Sequence, residues 1–427
     1  MSILKHECHL HLYGCLSAKD LHQDSRDRAE RYAGRFQWFL TEYKKSTGLT
    51  IDPKLWWDGS DGYGIFCEQF RCRKQTPFEI FQAKFNLLIA LHPPTADDMA
   101  LPKAVFAEHQ KTGGWKEYRT FLPLTLTTDE RIRYLRAVIE TAKDHETESY
   151  HPRLAISFSR QDADAWESYR FLVNALESHP DLAAYITGID FCASERGHPP
   201  SAKKALFVKI NEDNKLRRHP LEILYHVGEM WQDIALHSAA RWCVEAAQVG
   251  AHRLGHALAL GMSAESLAGR TITESKTETA AHFAWLRRYR QALHENGFSP
   301  ADYSQLLHLA EKSTAGDKVS WHYNQELIQQ TTNFQNAAQE MVCAINPVVE
   351  SCPTSNLRIG GLKKASYHPL RRFLDHHLRV AISTDDPGIF DISLDGEADV
   401  AESMMGVSRD ELVESDRLTE TLLQAHS

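Results

Sequence analysis

Short apolar or alternating segments recur along the chain, and each is followed by polar residues and then by a longer segment with helical periodicity. Eight such short segments are predicted strands: 7–12, 118–124, 153–159, 185–192, 221–227, 251–258, 344–350 and 379–384. Amphipathic stretches between them, such as 129–144, 163–178 and 237–248, are predicted helices. Alternating strands and helices imply parallel pairing through crossover helices. The pattern predicts an α/β fold, a closed (β/α)8 TIM barrel whose chemistry lies at the C-terminal strand ends.

Two connections are too long to be simple crossovers. The first, after strand 1 at about 16–116, carries Trp38, Phe39, Trp56 and Trp57 and an amphipathic stretch at 77–91. Its aromatic side chains either form a lid over a planar ligand or take part in ordinary packing between helices. The second, between strands 6 and 7 at about 260–341, is polar and mostly helix-patterned, and it forms either an interaction surface or a rim of the site. We predict one barrel domain over 1–427 with these two insertions.

Composition narrows the classes of partner. With 48 Lys and Arg against 57 Asp and Glu, the chain has a net charge of −9 and no basic arm, so small molecules are expected rather than nucleic acid. Eight irregularly spaced cysteines indicate reduced thiols. No stretch of about 18 apolar residues occurs, and the first residues lack the apolar run of a signal peptide, so we expect a cytoplasmic protein without a membrane partner.

Candidate metal ligands follow several of the predicted strands. His9 and His11 are two residues apart on the first strand, so both imidazoles point to one face, into the barrel mouth. Further candidates lie at the ends of the fifth, sixth and eighth strands: His226 with Glu229, His256, and Asp385 with Asp386. Three imidazoles and a carboxylate with one open position are typical of a catalytic zinc site.

Six motifs carry a resemblance to a known family. They are His9-Leu10-His11-Leu12-Tyr13-Gly14, Gly188-Ile189-Asp190, His226-Val227-Gly228-Glu229, Arg253-Leu254-Gly255-His256, Ser351-Cys352-Pro353-Thr354-Ser355-Asn356 and Ser383-Thr384-Asp385-Asp386-Pro387. In order and approximate spacing this set resembles the adenosine deaminase family of the metal-dependent amidohydrolase superfamily. The motifs bracket nearly the whole chain, whereas the two long connections resemble no named family.

The resemblance implies a hydrolase of purine metabolism with one zinc ion per chain. The implied zinc ligands are His9, His11, His226 and Asp385. Glu229 would protonate the ring nitrogen next to the attacked carbon, and His256 would orient and deprotonate the attacking water. Asp386 would face the imidazole side of a purine. A glutamate in a dry barrel mouth can have a raised pKa, which suits the role of acid.

Two positions depart from the family. Tyr13 stands where similar nucleoside-specific members carry an acidic residue that receives the ribose 5′-hydroxyl, and Ala193 replaces a glycine that offers its amide to the purine. A neutral phenol removes a charge that would repel a 5′-phosphate. Basic residues of the first connection either contact such a phosphate or form a solvated face: Lys19, Arg71, Arg73, Lys74 and Lys84.

We therefore predict a zinc-dependent deaminase of adenosine or deoxyadenosine, with AMP, dAMP or another 6-aminopurine as the alternative substrate. A hydrolase of cyclic amides or esters usually needs a bridging lysine at the fourth strand end, which here reads Ile189-Asp190-Phe191-Cys192. A non-catalytic purine-binding protein would have no use for Glu229 and His256. The cytidine deaminase type needs H-x-E with P-C-x-x-C, and this pair does not occur. Assembly into a homo-oligomer is left open.

Overall fold

The computed structural model describes residues 3–426. These residues form eleven strands: β1 (Glu7–His11), β2 (Gly114–Phe121), β3 (Tyr150–Ser159), β4 (Ile186–Cys192), β5 (Glu222–Val227), β6 (Arg253–His256), β7 (Thr271–Ser275), β8 (Thr314–Ala315), β9 (Lys318–His322), β10 (Val348–Ser351) and β11 (Arg379–Ile382). Eight of them pair in parallel in the order β1-β2-β3-β4-β5-β6-β10-β11. All eight predicted strands are therefore confirmed, with the second beginning four residues earlier than predicted.

The two edges of this sheet meet, so the strands form a barrel. The His11 amide donates to the Asp385 carbonyl oxygen at 2.9 Å, and the Asp385 amide donates to the His9 carbonyl oxygen at 3.1 Å. These bonds join β1 to the residues that follow β11. The predicted α/β architecture, a (β/α)8 TIM barrel, is confirmed. The C-terminal ends of β1 and β11 are thereby adjacent, which brings the first and last motifs of the chain together.

Helices surround the barrel and fill the long connections. In chain order they are α1 (Ala18–Arg31), α2 (Ala33–Thr47), α3 (Lys54–Trp57), α4 (Gly62–Phe70), α5 (Phe78–Leu91), α6 (Ala100–Thr112), α7 (Thr128–His145), α8 (Asp162–Ser178), α9 (Lys204–Asn214), α10 (Leu236–Val249), α11 (Leu258–Gly261), α12 (Lys276–Arg288), α13 (Arg290–Glu295), α14 (Pro300–Lys312), α15 (Gln325–Ile345), α16 (Pro353–Arg358), α17 (Leu370–Asp375), α18 (Pro387–Phe390), α19 (Leu394–Met405) and α20 (Arg409–Gln424). The predicted crossover helices correspond to α7, α8 and α10. Helix α7 begins at a capping box in which Thr127 and Glu130 each bind the other's backbone amide.

The first connection contains α1–α6. Trp56 is buried within it and donates its Nε1–H to Gln69, and Trp57 donates to Ser25. Both tryptophans therefore pack as ordinary helix residues. The aromatic side chains that reach the barrel mouth come from α5, which covers the C-terminal strand ends.

The second connection contains α11–α15 and a three-stranded antiparallel sheet in the order β7-β9-β8. The connection is mostly helical, as the pattern predicted, but the small sheet was not predicted, because β7 and β9 have only five residues each and their alternating burial is too short to be distinguished from helical patterning. Where α10 packs on α12, the rings of His237 and His282 are 4.7 Å apart. Both are fully buried, and neither ring nitrogen of either has a hydrogen-bond partner among the described residues.

Two composition-based expectations can be compared with the structure. The eight cysteines are free thiols, as predicted. Among the described residues, no helix combines the length and the apolar character needed to cross a bilayer. That the barrel and its two insertions form one domain stays a prediction.

Candidate functional site

Four histidines converge at the C-terminal ends of β1, β5 and β6. The ring of His9 lies 4.8 Å from the ring of His226 and 4.8 Å from that of His256, and the rings of His11 and His226 are 5.4 Å apart. Asp385, which follows β11, places Oδ1 at 3.3 Å from His11 Nε2 and 3.5 Å from His9 Nε2. The structure thus brings together all of the side chains that the sequence proposed as metal ligands.

These donor atoms fit a divalent cation. Bonds of about 2.0–2.1 Å in a tetrahedral site separate neighbouring ligand atoms by roughly 3.3 Å, close to the distances from Asp385 Oδ1 to the two imidazoles. That oxygen is buried and has no hydrogen-bond partner among the described residues, so it retains lone pairs for a cation. Imidazole nitrogen and carboxylate oxygen are the ligands that zinc commonly takes in hydrolases.

Two buried carboxylates orient the histidine rings. His9 Nδ1 lies 2.9 Å from Glu350 Oε2, and His226 Nδ1 lies 3.0 Å from Asp190 Oδ1. A carboxylate at Nδ1 fixes the proton there and makes Nε2 the acceptor nitrogen, which is the usual outer arrangement of histidine ligands. In this structure Nε2 of His9 faces Arg119 Nη1 at 3.0 Å. Asp190 belongs to a motif that the sequence singled out, but its role as the partner of His226 appears only in the structure.

Beneath the histidines lies a group of buried charges that sequence reasoning missed. Arg119 Nη1 is 3.0 Å from His9 Nε2 and 3.3 Å from Asp190 Oδ1, and its Nη2 contacts Glu350. Arg253 reaches Glu350 at 3.2 Å and Glu117 at 2.6 Å. Although burial acts in the opposite direction, the two arginines hold the pKa of Glu350 below its ordinary value. The carboxylates that orient the ligands therefore stay ionised.

Glu229 faces this cluster from the loop after β5. Its Oε1 is buried, lies 3.6 Å from His256 Nε2, and has no hydrogen-bond partner among the described residues. Burial, reinforced by the negative charge of Asp385, raises the pKa of Glu229 well above its ordinary value. A protonated carboxyl at this position can donate a proton to a ring nitrogen.

Glu195 holds the loop that carries Glu229. Its carboxylate accepts hydrogen bonds from the amides of Gly228 at 2.8 Å, Glu229 at 2.9 Å and Met230 at 3.0 Å. Gly228 has a φ of 71°, a conformation that favours glycine. Glu195 lies five residues after Asp190, and nothing in the sequence pattern assigned it this function.

A chain of hydrogen bonds sets the tautomer of His256. The Leu370 amide donates to His368 Nδ1 at 3.1 Å, so the His368 proton is on Nε2, which donates to the side-chain oxygen Oδ1 of Asn356 at 3.0 Å. The side-chain nitrogen Nδ2 of Asn356 then donates to His256 Nδ1 at 2.9 Å. The neutral His256 ring therefore carries its proton on Nε2, the nitrogen that faces Glu229. This arrangement favours orienting a water by donation over removing its proton.

Three of the nine predicted site residues have left-handed backbone conformations. The φ angles are 69° for Ala193, 62° for His256 and 67° for Asp385. Such conformations are uncommon outside glycine and cluster at functional sites. Beside them, a Cβ on Gly14 would fall 1.6 Å from Asp386 Oδ1, so the glycine of the first motif makes room for this carboxyl group. Burial and the charge of Asp385 raise the pKa of Asp386 well above its ordinary value.

The histidines and carboxyl groups open into a cavity of about 240 Å³. Tyr13 and Ala193 line this cavity, and the rest of its wall is largely phenylalanine and isoleucine. That these two residues contact a substrate stays a prediction. None of the five basic residues proposed for phosphate contacts lines it. Arg71 and Arg73 instead pair with Asp391 at 3.0 and 2.9 Å. The suggestion that they bind a phosphate of the substrate is therefore not supported by their positions.

A parallel barrel with imidazoles and carboxylates at its C-terminal strand ends is typical of metal-dependent hydrolases of the barrel type. Comparisons with known proteins narrow this class. Residues 341–419 match the family model described as adenosine deaminase. The adenosine deaminase of Escherichia coli strain SMS-3-5 is 22% identical over 261 residues, which cover 56% of this chain and 78% of that protein. These matches support the adenosine deaminase family of the amidohydrolase superfamily and a hydrolase of the deaminase type.

Solved structures show the same fold across nearly the full chain. The adenine deaminase of Arthrobacter aurescens gives a TM-score of 0.54 at 14% identity, covering 99% of this chain and 98% of that one. The Arabidopsis N6-mAMP deaminase gives 0.57 at 16%, covering 100% and 96%. Arabidopsis ADAL, solved with IMP, gives 0.58 at 16%, covering 99% and 95%. These proteins differ in the purine that they are named for or bind, so the family does not fix the substrate.

Proposed function

We propose that the protein hydrolyses the 6-amino group of the adenine ring in a nucleoside and releases ammonia, using one zinc ion. The proposed ligands are His9, His11, His226 and Asp385. The observation that carries the proposal is the placement of Glu229, a buried carboxyl group with a raised pKa that faces His256 beside the proposed ligands. A site that only bound a cation would not need a proton donor at this position.

Each remaining side chain has a role in this reaction. When bound, zinc supplies a nucleophile at neutral pH by lowering the pKa of water from about 15.7 to roughly 7. Glu229 donates its proton to the ring nitrogen next to C6, which makes C6 more electrophilic. His256 orients the attacking water through Nε2–H, in keeping with the hydrogen bond at its Nδ1. Asp386, neutral for the same reason as Glu229, donates to the imidazole side of the purine.

A nucleotide is the rival substrate. Arabidopsis ADAL was solved with IMP and with GMP, which favours a 5′-nucleotide by analogy of fold. Against this, the described residues that line the cavity include one arginine and no lysine, and that arginine, Arg119, is paired with Asp190 and Glu350. A phosphate needs charge-assisted hydrogen bonds when it leaves water. The nucleoside is therefore the better supported substrate.

The test is a set of assays on zinc-loaded protein with adenine, adenosine, deoxyadenosine, AMP and dAMP. Loss of the adenine absorbance and release of ammonia are measured together. We expect a nucleoside to be deaminated with a higher kcat/KM than its nucleotide. If AMP or dAMP is preferred, the rival substrate is correct. Binding of a purine without ammonia release would instead identify a non-catalytic binding protein.

A further inference from the structure

One wall of the cavity is a row of apolar side chains on α5. Phe78, Phe85 and Ile89 lie on one face of this helix and line the cavity, and each is only half-buried. The neighbouring Phe81 is buried and stacks on Phe390, with ring centroids 5.5 Å apart. The inner side of α5 is thus packed, whereas the row of three presents apolar surface that a bound molecule would cover.

Among the described residues, this wall of the cavity carries no lysine or arginine that could contact a phosphate. Two arginines contact residues of α5, but neither of them lines the cavity. Arg35 donates to the carbonyl oxygen of Ile89 at 3.4 Å, and Arg196 pairs with Asp233 at 3.3 Å and with Glu79 at 3.8 Å. A phosphate at this end of the cavity would lose its hydration and meet phenylalanine rings, which is costly for a charged group.

A free hydroxyl at this end would also lack a charged acceptor. Tyr13 lines the cavity with its ring, which lies 5.1 Å from the ring of Phe121. The Tyr13 hydroxyl is 3.2 Å from the hydroxyl of Tyr134, so its hydrogen bond is made to another phenol and not to a charged group. Gln82 is the polar side chain that α5 adds to the lining.

The direction of the substrate follows from the proposed function, on which this inference rests. Glu229 at the ring nitrogen next to C6 and Asp386 at the imidazole side hold the C6 edge toward the proposed ligands. The N9 edge then points away from them, toward the row on α5. We propose that the substrate is a 6-aminopurine nucleoside that carries no phosphate and whose 5′ carbon bears an apolar group, such as a methyl or a thioether.

Two nucleosides and one nucleotide that differ only at the 5′ carbon test this proposal: 5′-deoxy-5′-methylthioadenosine, adenosine and AMP. We expect kcat/KM to be about 10- to 100-fold higher for the methylthio compound than for adenosine, because burying a methyl group is favourable and a buried hydroxyl loses its water without gaining a charged acceptor. AMP should be lower than adenosine by roughly 100-fold or more, because its phosphate has no charged partner. A higher kcat/KM for adenosine or AMP than for the methylthio compound overturns the proposal. So does an equal kcat/KM for adenine, which lacks the whole substituent.

Substitutions at Phe85 test the contact itself. Phe85→Ser should reduce the preference for the methylthio compound over adenosine by about tenfold, because the apolar surface is lost. Phe85→Leu keeps an apolar side chain and should keep the preference within about threefold. Phe85 is half-buried, so both variants are expected to fold, and circular dichroism checks this. An unchanged preference in the serine variant overturns the proposal, as does an equal loss in both variants.

The results of these assays distinguish failure of this inference from failure of the proposed function on which it rests. If no 6-aminopurine releases ammonia with zinc-loaded protein, the proposed function fails and this inference fails with it. If ammonia is released but another member of the series is preferred, the deaminase assignment stands and the substrate class is wrong.

Discussion

Glu195 offers the sharpest single test of how the site is positioned. Its carboxylate is 3% exposed and accepts three consecutive backbone amides of the loop that carries Glu229. Oε1 accepts from Glu229 and Met230, and Oε2 accepts from Gly228. Glu195→Gln keeps the size of the side chain but replaces one of these oxygens with an NH₂ group. At least one backbone N–H then faces another donor.

The size of the effect follows from these three bonds. A buried donor left unsatisfied costs about 1–3 kcal/mol, and the two remaining bonds lose the contribution of the negative charge. Moving the loop relieves the clash but displaces Glu229 from the ring nitrogen that we propose it protonates. Because about 1.4 kcal/mol is a factor of ten in rate, we expect kcat to fall about 10- to 100-fold. Glu195 does not line the cavity, so KM should change by less than about threefold.

The assay is steady-state deamination with the best substrate of the series above, together with a denaturant unfolding curve. Glu274→Gln is the matched control, because Glu274 is also 3% exposed and accepts a backbone amide, that of Ala235 at 2.9 Å, but lies outside the cavity lining. We expect both variants to be less stable and only Glu195→Gln to lose kcat. Native kcat in Glu195→Gln, or equal losses in both variants, would refute the positioning role.

Four further predictions follow from the site and its surroundings. Glu229→Gln should lower kcat by about 10³-fold or more while zinc content, measured by mass spectrometry, stays at about one per chain; an active variant would exclude this residue as the acid. Chelation of the metal should abolish turnover and added zinc should restore it, whereas full activity of metal-free protein contradicts a metal-dependent reaction. His368→Leu should lower kcat by about fivefold and allow both tautomers of His256, which its ¹⁵N chemical shifts report. His368→Gln keeps a donor and should retain the native kcat and the single His256 tautomer. If the two variants give the same kcat and the same ¹⁵N shifts, the hydrogen-bond chain does not set the tautomer. Burial lowers the pKa of His237 to about 3, and burial together with the adjacent imidazole of His237 lowers the pKa of His282 well below its ordinary value. Below about pH 6.5 the unfolded chain therefore binds more protons than the folded one. The free energy of unfolding should fall there by up to about 1.4 kcal/mol per pH unit for each histidine. Unfolding curves between pH 5 and 7.5 measure this slope, which should be shallower in His282→Leu; an equal slope in both proteins contradicts the assignment.

Much of the barrel was predictable because its signals are local. The two-residue spacing of His9 and His11 places both side chains on one face of a strand, and parallel strands bring their C-terminal ends to one rim. His226 and Asp385 could be added because each follows an apolar segment. Strands β7 and β9 of the second connection were not predicted, because five residues show too little alternation between apolar and polar positions.

The supporting residues were not predictable because their roles depend on contacts between distant strands. Charged residues such as Lys116 and Arg119 are usually exposed, so the sequence does not indicate that they are buried. Closure of the barrel nevertheless buries Arg119 against Glu350, 231 residues further along the chain. The sequence also did not show that α5 forms a wall of the cavity. An amphipathic stretch shows that one face is buried, but it does not show whether the other face meets solvent or a bound molecule.

Contact with a cation divides the carboxyl groups of the site into two kinds. Glu350 and Asp190 each touch the Arg119 guanidinium, which holds the pKa of both below the ordinary value despite their burial. Among the described residues, no lysine or arginine pairs with Glu229 or Asp386, and burial raises the pKa of both. The first pair therefore stays ionised and holds histidine protons at Nδ1, while the second pair stays protonated and can donate to a purine. Since all four side chains are buried to a similar degree, contact with Arg119, and at Glu350 also with Arg253, separates the carboxylates that support the proposed ligands from the carboxyl groups that can act as proton donors.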